Sequence, residues 1–501
     1  MNKQLLLLGV LIAPTAAAGE SRFTPADAVK QTALHNPTLK AAVADVQQSV
    51  ELLRAEAVRF RPTLFLDATG TTNAAASLNF PSGTTRGTNQ ALVFGAEIQQ
   101  VFSFGTVVDF RLENRNTGSQ GPAYSGTNTT VTLGPGYGLS ARLTLSQPLL
   151  RGAGNHVGQA QLRALRLAQT GQARNRDAVA SQALSNTLLA YWELWYAQKA
   201  LGIEQQARTL ALRQRDEAQG KAKAGSLADA DVLIHETRLA ELDQSVLQAE
   251  LTLREQSLTL ANAIGVPSTT FHVAEAGHPT FEIEREVTVL GAASEASYTL
   301  AQQRIAVAIA QDTLRTAAEA TRPRLDALAW LQTQGLGNQA VAPALDQLGT
   351  FDNVSANVGL VFELPLSTAR HQAQQRAGEL ALDAARDRLT AMENQVRADT
   401  LTELATLDQA RQSLSLAERT TEVATRTAVA QQQRFQIGTA IPIEVQTAED
   451  SLRRAQLSVE RARVNATKAQ VRLANLTGRL LLLWGVDQGP DQDRPSLAGG
   501  S

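Results

Sequence analysis

The sequence predicts an α+β membrane protein built from two internal repeats, each with strands of outer-membrane pattern and a long helical hairpin of coiled-coil period. Three observations lead there: a long helical hairpin that occurs twice, segments of strict period two between the helical stretches, and an amino-terminal export signal. The hairpin comes first because the rest is ordered by it. Arg434 to Gly478 opens on a Gly turn at Gly438 and runs into a helix. On that helix Val445, Ala448, Leu452, Ala455, Val459 and Ala462 follow one another in steps of three and four. That is the 3.5-residue period of a left-handed coiled-coil seam. Its many Ala residues let a neighbouring helix approach closely. Lys221 to Gly265 aligns with this stretch without a gap at an offset of 213, setting Gly225 on Gly438, Val232 on Val445, Leu239 on Leu452 and Ala261-Asn262 on Ala474-Asn475. The chain is therefore duplicated.

Composition supports long helices over a globular core. Only 4% of the 501 residues are aromatic, whereas Ala, Leu, Gln and Arg abound. A net charge of −2 gives no electrostatic reason to expect nucleic acid. The absence of cysteine excludes disulfides, thiol nucleophiles, Cys metal sites and a lipid carried on a leading Cys. Asn2 and Lys3, the apolar run Leu5 to Ile12 and the small residues Ala16-Ala17-Ala18 read as a signal peptide spanning 1–18. That run is too short to span a bilayer as a helix, and no later stretch is long and apolar enough. A membrane location would then have to use strands.

The first repeat is expected over 19–265. Thr24-Pro25-Ala26-Asp27 starts a short helix. Asn36-Pro37 breaks it, and a second helix follows from about Thr38 to Phe60, ending before Pro62. Strands are expected between about 63 and 147. Leu64 and Leu66 alternate with Thr63 and Asp67, Phe94 and Ile98 with Glu97 and Gln99, Phe110 and Leu112 with Asp109, Arg111 and Glu113, and Leu139, Leu143 and Leu145 with Ser140, Arg142, Thr144 and Ser146. The Ser/Thr/Asn/Gly stretch after Thr69 and the segment Asn114 to Asn128 read as loops. Alternation with long polar connections is the pattern of outer-membrane strands. A soluble antiparallel sheet with one wet face shares it; the signal and the duplication favour the membrane. Pro148 closes the last strand. A helical hairpin then spans about 152–265, its first arm running from Gly158 to Lys223, roughly 100 Å at 1.5 Å per residue.

Residues 266–290, with Pro267 and Pro279, read as a linker. The second repeat covers 291–480. Leu300 to Leu325 matches Leu39 to Leu64 at an offset of 261, which puts Pro323 on Pro62. Strands are expected over about 324–364, with a Gly/Asn/Gln loop between them and Pro365 where Pro148 stood; the second hairpin spans 369–478, and 481–501 reads as a flexible tail. The first half has an additional hairpin near Ala91 to Glu113, which either joins the sheet or projects from it. Four to six strands cannot close a membrane barrel, because eight is the smallest known, so several chains would have to share one.

The chain resembles the TolC-like outer membrane efflux protein family. The resemblance is carried by the paired turns GSLADADV (Gly225 to Val232) and GTAIPIEV (Gly438 to Val445), by the strand-opening prolines Pro62 and Pro323, and by the strand-closing prolines Pro148 and Pro365. It covers about Phe23 to Leu480. It implies a homotrimer whose strands pool into one outer-membrane barrel and whose helices form a tunnel closed at the Gly turns. It also implies docking on a periplasmic adaptor protein and an inner-membrane RND or ABC transporter, with outward passage of drugs, metals or proteins, and no cofactor. Localisation would be the outer membrane of a Gram-negative bacterium, with the helices in the periplasm. By position, Asp231 and Glu444 are the carboxylates that would line the closed tip; each would also favour a helix amino end by charge alone. The chain departs from the family at Phe435, which lacks a hydroxyl, and at Ala440, where some members carry an Arg, so a Tyr–Arg latch cannot be built there.

Other conspicuous residues read as structural. His235 sits on a helix seam, and Tyr191, Trp192, Trp195 and Tyr196 have the spacing of a core or a belt. Glu418 and Glu422 form a solvated pair, and Arg453, Arg454 and Arg461 flank the seam as solvent-facing or interhelical salt-bridge residues. No Ser/His/Asp set, phosphate loop or paired acids point to an enzyme. Two rivals are a coiled-coil structural protein without channel activity, and a periplasmic adaptor, which would need a compact lipoyl-like β-domain for which the sequence shows no pattern.

Overall fold

The computed structural model describes residues 21–79, 83–122, 130–226, 228–266, 272–275, 286–351, 353–437 and 439–485. The expected signal peptide, the turn residue Gly438, most of the expected linker and residues 486–501 lie outside the described residues. The elements run β1 (Ser21–Phe23), α1 (Pro25–His35), α2 (Pro37–Val58), β2 (Thr63–Asn79), β3 (Gly83–Val101), β4 (Val107–Pro122), β5 (Thr130–Pro148), α3 (Asn155–Gly158), α4 (Ala160–Lys223) and α5 (Asp229–Ile264). They continue with β6 (His272–Ala274), α6 (Glu286–Ala296), α7 (Tyr298–Glu319), β7 (Arg324–Asn338), α8 (Ala342–Thr350), β8 (Val354–Glu363), α9 (Ala369–Gln436), α10 (Pro442–Leu476) and α11 (Leu480–Leu483). The fold is α+β. Contacts divide it into a helical unit, drawn from Met1–Val46, Gln172–Arg304 and Arg388–Ser501, and a second unit, Gln47–Gly171 with Ile305–Asp387, that holds the large sheet. Among the described residues no helix is long and apolar enough to cross a membrane.

The helical unit is organised by the duplication. α1 starts on a capping box, with Asp27 N–H donating to Thr24 Oγ1 at 3.2 Å and Thr24 N–H donating to the Asp27 carboxylate at 3.1 Å. Asn36 ends α1 and begins α2: its Oδ1 accepts from the Leu39 N–H at 3.1 Å, and its Nδ2 donates to the Ala263 carbonyl at the end of α5, 2.9 Å away. Gly265 closes α5 at φ +86°, in the left-handed region that favours glycine, and a Cβ there would lie 2.6 Å from Pro37 Cδ. Gly478, its copy 213 residues on, has φ +66° and lies equally close to Ala296 at the end of α6. Both junctions are thus one motif used twice.

Two expectations need correction here. The linker does not extend to Leu290: α6 starts at Glu286 and ends at Ala296, which is α1 displaced by 261 residues. Val289, 1% exposed, takes the place of Ala28 in the core and holds that helix down. Nor does the tail begin at 481, because Leu480 and Leu481 are buried with Val29, Leu39, Leu184 and Leu188. The other main cluster joins Tyr191, Leu194 and Trp195 of α4 to Leu260 and Ile264 of α5 and Val464 of α10. The aromatic group of α4 is therefore core. The Tyr191 hydroxyl donates to the Phe23 carbonyl at 3.0 Å, and burial pushes its pKa up.

The large sheet has the order β2-β3-β4-β5-β7-β8, antiparallel throughout, so the additional hairpin near 91–113 is part of it as β3 and β4. The strands are longer than the sequence suggests. β2 continues to Asn79, β4 through the polar segment Asn114 to Pro122, and β7 to Asn338. Asn, Gly and Ser have little strand preference of their own, but each here pairs in register with a neighbour, and the ladder decides. The expected Gly/Asn/Gln loop after β7 contains α8. Gln347 of α8 pairs by its amide with Leu336: Nε2 donates to the carbonyl at 3.1 Å and Oε1 accepts the N–H at 3.0 Å. It covers a stretch of β7 that extends past β8, whose pairing with β7 stops at Thr333.

The core assignment predicts that Leu188→Ala, which opens a void at a fully buried site, costs about 2–5 kcal/mol of stability. The same change at exposed Leu416 should stay within about 0.5 kcal/mol. Denaturant unfolding followed by helical circular dichroism measures both.

Candidate functional site

In the helical unit, two hairpin tips repeat one another bond for bond. At the first, Ser226 N–H donates to the Lys221 carbonyl at 3.0 Å; at the second, Thr439 N–H donates to the Arg434 carbonyl at 2.8 Å. The hydroxyls of Ser226 and Thr439 donate to those same two carbonyls. Gly225 has φ +75°, with open space where a side chain would stand. Three residues after Ala228 and Ile441 respectively, Asp231 and Glu444 begin α5 and α10, each with its N–H bonded back to that residue's carbonyl. Asp231 is half-buried; Glu444 is exposed and lines a groove of about 730 Å³ with Val423, Thr427, Ile443 and Thr447. Both carboxylates meet the positive end of a helix. Among the described residues they share no hydrogen bond or ion pair. Phe435, which lacks a hydroxyl, faces a cation instead: Lys221 Nζ lies 5.9 Å from its ring centre, joining the two tips. His235, one turn past Asp231, has its pKa lowered by burial and by Lys221, with Asp231 opposing.

Above the tips, polar pairs fasten α10 to the first hairpin. Arg238 of α5 pairs with Asp450 of α10. Arg453 Nη1 donates to both oxygens of the buried Glu204 of α4 at 2.8 Å. Gln214 Nε2 donates to Glu449 at 2.8 Å. Farther along, Glu193 takes Arg461 at 2.7 Å and Lys468 at 2.5 Å. Burial pushes the Glu193 carboxyl up, but its two cations hold it below the usual range. Glu449 has only Gln214 and a distant Arg238 to offset burial, and its pKa is raised. Of these residues the sequence marks only Arg453 and Arg461 as seam-flanking. Their partners stand hundreds of positions away, and no spacing reveals them.

The sheet has two chemically different faces. Glu97, Arg111, Arg142 and Gln332 are successive cross-strand partners on β3, β4, β5 and β7. Arg111 reaches Asp67 and Glu97 at 3.1 Å and Glu113 at 3.3 Å; Arg142 donates to Gln332 and lies over the Trp330 ring. One residue along, on the other face, the partners are Leu64, Ile98, Phe110, Leu143 and Leu331, all exposed. Among the described residues nothing covers them. Leu66 is 74% exposed, Leu360 69% and Val358 84%. The prolines bracket the strands: Pro62 and Pro323 directly precede β2 and β7, Pro148 is the last residue of β5, and Pro365 lies two residues beyond β8.

Comparison with known proteins agrees with this geometry. The family model for the outer membrane efflux protein matches residues 289–479. The match lies in the second half of the chain. Helices α1, α2 and α5 of the first half repeat the matched helices α6, α7 and α10 at fixed offsets. Comparison with curated proteins gives no match. Among solved structures, the chain is similar to the CmeC outer membrane channel of Campylobacter jejuni, at 14% identity and TM-score 0.64, covering 91% of this chain and 86% of that one. It is similar to the outer membrane protein VceC of Vibrio cholerae at 17% identity and TM-score 0.63, covering 91% and 96%. A third likeness is the open state of the MtrE outer membrane channel of Neisseria gonorrhoeae, at 16% identity and TM-score 0.62, covering 91% and 89%. The fold of these outer membrane proteins therefore extends over nearly the whole chain.

The raised pKa of Glu449 sets a pH test. A carboxyl whose folded pKa is raised contributes its stability below its unfolded value, near 4.5, and loses it as pH rises through the folded value. Glu449→Gln keeps the bond to Gln214 and removes the charge. It should raise the melting midpoint at neutral pH and have no effect below about pH 4; melting curves from pH 3.5 to 8 check this.

Proposed function

We propose that this chain is the outer-membrane channel of a tripartite efflux or type I secretion system, carrying substrates from the periplasm or an inner-membrane pump to the exterior. The observation that carries this is the two-faced sheet: a mainly apolar face open to the surroundings, backed by an ion-paired polar face. Lipid suits the first and a water-filled lumen the second. β2 and β8 are the two free edges, and edges do not persist in lipid, so copies pair edge to edge until the wall closes. The reading is of a homotrimer in the outer membrane of a Gram-negative bacterium. Its helices, about 100 Å long, cross the periplasm to an adaptor protein and an RND or ABC transporter. Residues 1–18 are the export signal in this reading. The chain positions and opens a passage; it does no covalent chemistry.

Asp231 and Glu444 are proposed as the mouth. Three copies of each, held at helix amino ends beside the Gly225 and Gly438 turns, make a narrow acidic ring that favours cations and that a docking partner eases apart. The four prolines, Pro62, Pro148, Pro323 and Pro365, mark where strands give way to helices.

Planar-bilayer recording of purified protein tests the proposal. Wild type should show small, cation-preferring steps. Asp231→Ala combined with Glu444→Ala should conduct at least several-fold more and lose the cation preference. Silence in both proteins, together with migration on gels that does not change on heating in mild detergent, would favour a coiled-coil structural protein instead.

A further inference from the structure

We infer that β3 and β4 are an insertion into the barrel wall that widens its lumen to eighteen strands, so that the barrel admits solutes too bulky for the twelve-stranded wall the duplicated plan would give. This rests on the channel reading above and adds a width and a cargo size to it.

The duplication identifies the insertion. β2 and β7 follow matching helices and matching prolines, Pro62 and Pro323; β5 and β8 precede the matching prolines Pro148 and Pro365. The repeated unit is therefore one pair of strands, present as β2 with β5 and as β7 with β8. β3 and β4 have no counterpart in the second half. Each direction is preserved, because removing two antiparallel strands leaves β2 and β5 antiparallel to each other.

Two features make the inserted pair wall, not plug or outer loop. First, its register is continuous on both sides: β3 pairs with β2 from Gly83 to Gln99, and β4 with β5 from Val107 to Pro122 apart from one irregularity near Gly118. Second, its faces match the rest. Phe94, Ile98, Phe110 and Leu112 continue the exposed apolar face, and Glu97, Arg111 and Glu113 continue the polar one. Arg111 ties the insertion to the older wall by its pair with Asp67 of β2. A hairpin outside the membrane would leave four large apolar side chains in water beside an ion cluster facing nothing.

Width follows from strand number. At about 4.8 Å between strands and a tilt near 40°, eighteen strands give a backbone diameter of about 36 Å, and twelve give about 24 Å.

Because the natural chain has no cysteine, single labels test the insertion directly. Ile98 and Leu143 lie in one cross-strand row on the apolar face, joined through Phe110, and Gln99 faces the other way. With a fluorophore at Ile98→Cys, Leu143→Cys or Gln99→Cys in vesicles containing brominated lipid, the first two should be quenched equally and Gln99 little. Quenching at Leu143 without quenching at Ile98 overturns the insertion while leaving the channel reading intact. Absence of quenching at both overturns the barrel and the insertion with it. Independently, neutral polymers added on the barrel side should enter the full-length channel up to a larger radius than in a variant lacking Gly83–Pro122, the cutoff falling by about one third. An unchanged cutoff in a folded deletion variant refutes the widening. If the deletion variant does not fold, the three labels decide.

Discussion

The constraint on which the structure turns is backbone hydrogen bonding at two open sheet edges. An unpaired N–H or C=O costs several kcal/mol where water is absent, as it would be at these edges in the proposed outer-membrane setting. β2 and β8 each present a full row of such groups. Neither charged substitutions nor a covering helix hides the length of β2. Gln347 covers only the part of β7 that β8 leaves unpaired. In the proposed channel such open edges are where copies would pair: six strands lie below the smallest closed membrane barrel, so closure there would come from further copies.

The helical unit solves a different problem with the same economy of parts. Long helices packed on Ala-rich seams gain little from each side chain, and the unit is held by repeated junctions and by paired charges. Gly265 and Gly478 each let a helix end press against the break between two shorter helices, and both do so because a Cβ would collide there. Along α10 the seam is fastened by Asp450, Arg453, Arg461 and Lys468, whose partners on α4 and α5 come from the other repeat. Most of these pairs are partly buried, where breaking one partner costs more than forming the pair contributes. Such fastening favours one alignment of the two hairpins over its neighbours. It also leaves the tips themselves lightly held, with Lys221 over Phe435 as the contact between them.

What the sequence made legible follows from where local signals and pairing agree. The α9 boundaries, Ala369 and Gln436, were readable because Pro365 and the Gly turn bracket an uninterrupted helical period. The apolar face was readable from alternation at Leu139, Leu143 and Leu145. The outer halves of β2 and β4 were not, because Asn, Gly, Ser and Thr signal turns, and only the neighbouring strand makes them a ladder. α6 was hidden behind Pro267 and Pro279, although the offset of 261 that matched Leu39 to Leu300 also carries Pro25–His35 onto Glu286–Ala296. Extending the alignment by that one helix would have found it. The Arg111 cluster needed the register: Asp67, Glu97 and Glu113 sit at unrelated spacings in the chain and converge only when three strands are aligned.

The two halves have diverged in the sheet and not in the helices, and this has a physical reason. A helix of the packed unit meets neighbours along its whole length, so an added or lost residue moves every seam residue after it to a new face. Two strands inserted at a hairpin replace one strand pairing by three and leave every other strand its direction, provided the new strands keep the alternation of faces. The first half took that route with β3 and β4, and the second placed α8 at the corresponding far end of its single pair. Change therefore collected where the architecture tolerates it, in the strands, while α1 and α2 kept their boundaries to the residue in α6 and α7, and the start of α5 kept its own in α10.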